Sequence, residues 1–161
     1  MSENQEENVR GWHLLPELPP DVFNVLRKPG RTINPVSVVA TVNEDGTPHT
    51  APFGSLRASS PSRLRMICFH FHHTYNNLLR DGRISVSVLA PPNIAVSISG
   101  VASLVKSEMA ADINYAIFEI AVDEVKNDMV KTLMIETPIT ISPHYEYKAW
   151  FDEVLEELEQ A

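Results

Sequence analysis

The chain has 161 residues, 43% hydrophobic and 21% charged, the balance of one ordinary globular domain rather than of two domains or a disordered chain. A formal net charge of −8 argues against nucleic acid as a partner of the whole chain, and the single cysteine, Cys68, excludes an internal disulfide and a multi-cysteine metal site. No apolar run approaches the roughly 20 residues of a membrane helix, and Met1 to Arg10 has neither the basic nor the apolar region of a signal peptide, so a cytoplasmic protein without membrane contact is expected.

Residues 1–10 are polar and acidic and are expected to form a flexible tail ahead of a single domain over 11–161. Pro19-Pro20-Asp21 introduces a short helix, with Val22, Val25 and Leu26 on one face and Lys28-Pro29-Gly30 ending it. From Val36 the period changes. Val36 to Val42 is rich in β-branched residues, Asn43-Glu44-Asp45-Gly46 reads as a turn, and an extended run from Thr47 to Leu56 completes a hairpin. Pro52 and Gly54 are poor residues for a central strand, so the backbone there should leave regular pairing and let another group approach.

After a turn at Ser59-Ser60-Pro61-Ser62, Leu64 to Phe71 is the third strand, and His73 to Gly82 reads as a two-turn helix with Thr74 as N-cap and Gly82 as its stop. Arg83 to Leu89 and Asn93 to Val105 are the fourth and fifth strands, with Gly100 at a bulge. Residues 113–125 carry two periods. Ile113, Ala116, Ile117, Ile120 and Ala121 suit a helix, whereas Ala116, Phe118, Ile120 and Val122 alternate as in a strand, which the β-branched and aromatic content favours. Ser142-Pro143 is expected to open a last helix, with Tyr147, Trp150, Phe151, Val154, Leu155 and Leu158 on one face. The sum is a mainly β fold: six antiparallel strands forming a barrel, a short helix between the third and fourth, and helices at both ends.

Chemistry concentrates in Met66 to Leu78, where a strand runs directly into a helix N-terminus. The first free N–H groups of that helix, expected around Asn76 and Asn77, attract an anion such as phosphate; His72 and His73 stand at its mouth, and the Thr74 hydroxyl can donate to a phosphate oxygen. Other readings of the histidines remain open. His70, His72 and His73 suit a polar strand end without a ligand, or one of them an axial ligand to haem. A metal site lacks a nearby carboxylate or cysteine to complete its ligand set, so no metal ligand is assigned. Cys68 reads as a small buried hydrophobe. No catalytic triad or carboxylate pair is visible, and no catalytic side chain is assigned.

Taken in order, Ala40-Thr41-Val42, Asp45-Gly46-Thr47-Pro48-His49, Pro52-Phe53-Gly54-Ser55, His72-His73-Thr74-x-x-Asn77-Leu78 and Arg83-Ile84-Ser85-Val86-Ser87-Val88 resemble the FMN-binding split-barrel family, whose members include pyridoxamine 5′-phosphate oxidases. The resemblance runs from about Val36 to Val125. It implies a split barrel that forms a homodimer, with FMN at the subunit interface. It also implies that Pro52, Phe53, Gly54 and Ser55 line the isoalloxazine ring, that Ile67, Cys68, Phe69 and His70 run beside the ribityl chain, and that His72, His73, Thr74 and Asn77 hold the phosphate. Many relatives carry Lys or Arg where His73 and Thr74 stand, which implies a weaker, pH-sensitive phosphate grip. The substrate-binding arginine and histidine near the C-terminus of pyridoxamine phosphate oxidases have no counterpart. The implied activity is an FMN-dependent oxidoreductase passing hydride or electrons between NADH or NADPH and a small acceptor. Alternatives are a non-catalytic flavin or haem carrier and a deazaflavin-dependent reductase.

Overall fold

The computed structural model describes residues 13–161, and the tail expected at 1–10 lies outside the described residues. A two-residue strand, β1 (Leu14–Leu15), precedes α1 (Pro20–Leu26), which begins with proline, carries Asp21 in its first turn and buries Val22 and Leu26. β2 (Ser37–Val42) and β3 (Pro48–Phe53) pair through a turn in which Gly46 has φ of 86°, a left-handed conformation that glycine adopts without steric cost. β4 (Arg57–Ser60), β5 (Arg63–Phe69), α2 (His73–Arg80), β6 (Arg83–Ala90), β7 (Ile94–Lys106) and β8 (Tyr115–Asn127) follow. Residues 128–144, without helix or strand, then run as a strap into a 3-10 turn (Tyr145–Tyr147) and α3 (Lys148–Gln160).

The strands pair antiparallel in the order β3-β2-β6-β7-β8-β5-β4, with β1 beside the far end of β8. β3 and β4 stand at opposite ends of that order, yet only residues 54–56 join them. A sheet so connected has to curl until its edges are neighbours, which makes it a barrel open between β3 and β4. Inside lie Val39, Leu64, Met66, Val86, Ile98 and Phe118, among others, with Leu26 of α1 closing one end. A second, smaller core forms outside the barrel, where Val154, Leu155 and Leu158 of α3 cover Ile67, Met109 and Ile117. Among the described residues, no helix is long and apolar enough to cross a membrane.

The mainly β barrel with end helices agrees with the sequence reading, but the described strands number eight rather than six. The run from Thr47 to Leu56 breaks at Gly54, and the chain restarts as β4 on the opposite edge; β1 is too short to leave a periodic signal. Residues 113–125 resolve as strand, from Tyr115 onward. Gly100 does sit at a register shift, and a Cβ there would lie 2.2 Å from Ala121 O. Two helix ends differ from expectation. α2 is capped by His72, whose Nδ1 accepts the Thr74 N–H at 3.3 Å, and it ends in extended Asp81. Gly82 serves the sheet instead, since a Cβ would come within 2.6 Å of Ala102 O. α3 starts at Lys148, because Ser142 and Pro143 belong to the strap.

Candidate functional site

The bend after β3, the outer face of β5 and the first turns of α3 enclose a cleft of about 290 Å³. Period-two alternation decides what β5 contributes. Ile67 and Phe69 face the cleft, whereas Met66 and Cys68 point into the barrel. Seven of the residues singled out in the sequence line it: Pro52, Phe53, Gly54, Ser55, Ile67, Phe69 and His72. The far wall is Tyr115, Ile141, Trp150, Phe151, Val154 and Leu155, none of which the sequence reading assigned to a site. Trp150 and Phe151 read there as a helix docking face; their pairing at consecutive positions, which no single docking face needs, was the available signal.

The bend is held from behind. Ser55 Oγ accepts the Ile67 N–H at 3.0 Å, and a Cβ at Gly54 would fit only tightly, 3.1 Å from Ile141 Cδ1 and 3.3 Å from Ile33 O. The wall opposite is fixed by Trp150 Nε1, which donates to Asp112 Oδ2 at 3.0 Å, and by Glu157, which accepts the Ala110 and Ala111 N–H groups at 2.9 and 2.7 Å. The lining is therefore apolar and aromatic, and it carries no acidic or basic side chain other than the His72 imidazole.

At one end of the cleft three imidazoles gather. His49 on β3 lies 5.9 Å from the ring of His72 and 5.6 Å from that of His73, and Phe53 packs edge-on to His72 at 6.0 Å. Burial, and then the neighbouring His49 and His73, lower the His72 pKa, so its ring is neutral at neutral pH. Two buried polar atoms here, His49 Nε2 and Thr74 Oγ1, have no hydrogen-bond partner among the described residues. Among the described residues no three His, Cys, Asp or Glu side chains are placed so that they could hold a metal ion.

The remaining residues singled out in the sequence take other places. Cys68 is buried in the barrel core, which pushes its thiol pKa up to about 12. The His70 ring packs at a tilt against Tyr75, centroids 4.8 Å apart, and its Nε2 meets Ser107 O at 2.7 Å. Thr74 is wholly buried under the first turn of α2. Asn77 is also buried, and its amide donates to Thr41 Oγ1 and Asn43 Oδ1, both at 3.0 Å, tying α2 to β2. Because α2 begins at His73, its N-terminal turn is His73–Tyr75, one turn earlier than the expected Asn76 and Asn77, and there His72 already accepts the Thr74 N–H on Nδ1 and the Tyr75 N–H on its carbonyl.

Solved structures with the same fold include a candidate pyridoxamine 5′-phosphate oxidase from Lactobacillus delbrueckii, at 22% identity and TM-score 0.55 over 69% of this chain and 94% of that one. HupZ of Group A Streptococcus matches at 16% identity and TM-score 0.56 over 73% and 98%. A protein described as an F420 reductase matches at 14% and 0.55 over 69% and 100%. No curated protein matches the chain. The family model for pyridoxamine 5′-phosphate oxidase matches residues 32–135, the stretch that contains the barrel strands β2 to β8 and the near wall of the cleft. The chain belongs to the pyridoxamine 5′-phosphate oxidase family.

Proposed function

We propose that the cleft holds FMN, in a homodimer, and that the protein is an oxidoreductase drawing on NADH or NADPH. The observation that carries this reading is the apolar, aromatic cleft running up to the N-terminal turn of α2, where His49 Nε2 and Thr74 Oγ1 lack partners. A flat ring and a phosphate need those two environments side by side. The family uses flavins as cofactors, and the matched residues include the near wall of the cleft. In this reading Pro52, Phe53, Gly54 and Ser55 border the ring, Ile67 and Phe69 lie along its flank, and His72 and His73 serve the phosphate, with Thr74 buried behind them. Cys68 and Asn77 act from behind, through packing and the β2 tie, and His70 through the backbone it contacts.

Bound flavin supplies the two-electron chemistry, so the chain's own task is to bind, orient and exclude water. Trp150, Phe151 and Ile141 keep water from one side of the cleft. His72, neutral when empty, gains a proton as pH falls and then attracts the phosphate more strongly.

Titration of the purified protein with FMN and with riboflavin, followed by flavin fluorescence, tests the reading. FMN should bind about tenfold or more tightly than riboflavin, a single charge-assisted phosphate contact being worth that much, and the advantage should shrink in His72→Ala. Absence of binding by either flavin overturns the cofactor assignment. Anaerobic NADH or NADPH should then bleach the bound flavin, and a flavin that neither donor reduces removes the nicotinamide step alone.

A further inference from the structure

Behind the Gly54–Ser55 wall lie two buried cations that the flavin reading does not use. Lys28, at the end of α1, is 2% exposed, and its ammonium donates to two backbone carbonyls, Gly54 O at 3.2 Å and Ile33 O at 3.3 Å. Arg57, at the start of β4, is 5% exposed and donates to the carbonyls of Ser55, Lys28, Gly30 and Thr32 at between 2.7 and 3.0 Å. Gly54 and Ser55 are themselves cleft-lining residues, so one peptide separates these cations from whatever occupies the cleft.

Among the described residues no carboxylate hydrogen-bonds to either cation. Arg57 bears on Lys28, and Glu159 of α3, which accepts the Gly30 N–H at 3.2 Å, bears on Arg57. Burying a cation without a counter-ion is costly, and burying two together is costlier. Burial and then Arg57 accordingly bring the Lys28 pKa down to about 7. A negative charge arriving in the cleft reverses that balance: it supplies the missing counter-charge and draws a proton onto the amine.

We propose that Lys28, backed by Arg57, makes the cleft prefer a negatively charged ring to a neutral one, and so favours the reduced over the oxidised form of the FMN it is proposed to hold. This rests on the FMN reading. At neutral pH two electrons and one proton leave a neutral oxidised ring with one negative charge. The fraction of Lys28 that is neutral takes a second proton from solvent, and charge in the cleft stays balanced.

The test measures dissociation constants for oxidised FMN and for dithionite-reduced FMN, anaerobically at pH 7.5, in the wild type, Lys28→Gln and Lys28→Met. Glutamine keeps a donor for Gly54 O without the charge, and methionine removes both. The wild type should bind reduced FMN more tightly than oxidised. In both variants that preference should fall about tenfold, the size of one unit charge acting over several ångströms at an effective dielectric near 20. Oxidised binding in Lys28→Gln should stay within about twofold of wild type, since the neutral ring senses little of the charge. Proton uptake on reduction gives a second readout and should drop in Lys28→Gln. Equal losses for both forms reduce Lys28 to a prop for the bend, and no change removes it from the site; either result overturns the inference while FMN binding stands. A wild type that binds neither form overturns the FMN reading and this inference with it.

Discussion

Cys68 and its neighbours on β5 show how one strand serves two surfaces. Ile67 and Phe69 face the cleft, while Cys68 packs inside the barrel at 1% exposure. With its thiol pKa pushed up to about 12, Cys68 has almost no thiolate at working pH and no route to a reagent. Labelling by a disulfide reagent at pH 8 should therefore proceed only as fast as the protein opens, and its rate should follow the urea unfolding curve; rapid labelling of the native protein would contradict the burial. Lys28 gives the residue scale a pH dependence. Its pKa is about 7 when folded and 10.5 as the model value, so between those values the unfolded chain binds a proton that the folded one does not. Stability contributed by the neutral amine is present above pH 10.5, falls as pH drops through that window, and is gone below about 7. Lys28→Met should raise the urea midpoint at pH 7 and flatten its rise between pH 7 and 10. An unchanged pH profile would mean that the amine is already solvated.

Among the elements, α3 has the widest influence. It adds the outer core over Ile67, Met109 and Ile117 and supplies the far wall of the cleft with Trp150, Phe151, Val154 and Leu155. Leu155→Ala should cost about 2–4 kcal/mol of unfolding free energy, typical of a buried leucine truncated at a site that relaxes only partly, and should weaken FMN binding as well. Denaturant unfolding and the flavin titration together check this, and lost stability with unaltered binding would detach α3 from the site. The strands were legible in the sequence because β2, β6, β7 and β8 each carry several β-branched residues, and β5 alternates Leu64, Met66 and Cys68 inward. β4 was not, since its four residues, Arg-Ala-Ser-Ser, declare neither period nor face. The near wall was legible in Gly54, where β3 breaks; Pro52, expected to leave regular pairing too, stays in register with Val38, which an edge strand tolerates. The far wall was not. Periodicity says that Trp150 and Phe151 lie near a helix face, but which distant surface that face meets depends on the path of the strap.

For the whole molecule, the short link between β3 and β4 dictates closure of the sheet, and the charge, composition and family all suit a barrel of this size. Association into a homodimer is the remaining expectation at this scale. Phe71, beside the cleft on the loop before α2, is 76% exposed, and Leu133 and Met134 on the strap are 65% and 67% exposed, more apolar surface than water contact favours. Light scattering on the eluting peak should give twice the 18.0 kDa of one chain, with Phe71→Glu shifting it toward one. A monomer at every concentration would leave the cleft to be completed within a single chain.

The strap itself has a consequence for biosynthesis. Val36 N–H donates to Ile139 O, Asn34 exchanges two hydrogen bonds with Ile141, and only then does the chain reach α3. One side of the cleft is thus encoded near residues 52–72 and the other, Tyr115 apart, at 141–155. During synthesis the barrel strands therefore emerge ahead of Ile141 to Leu155, and a growing chain presents the near wall of the cleft before the far wall exists.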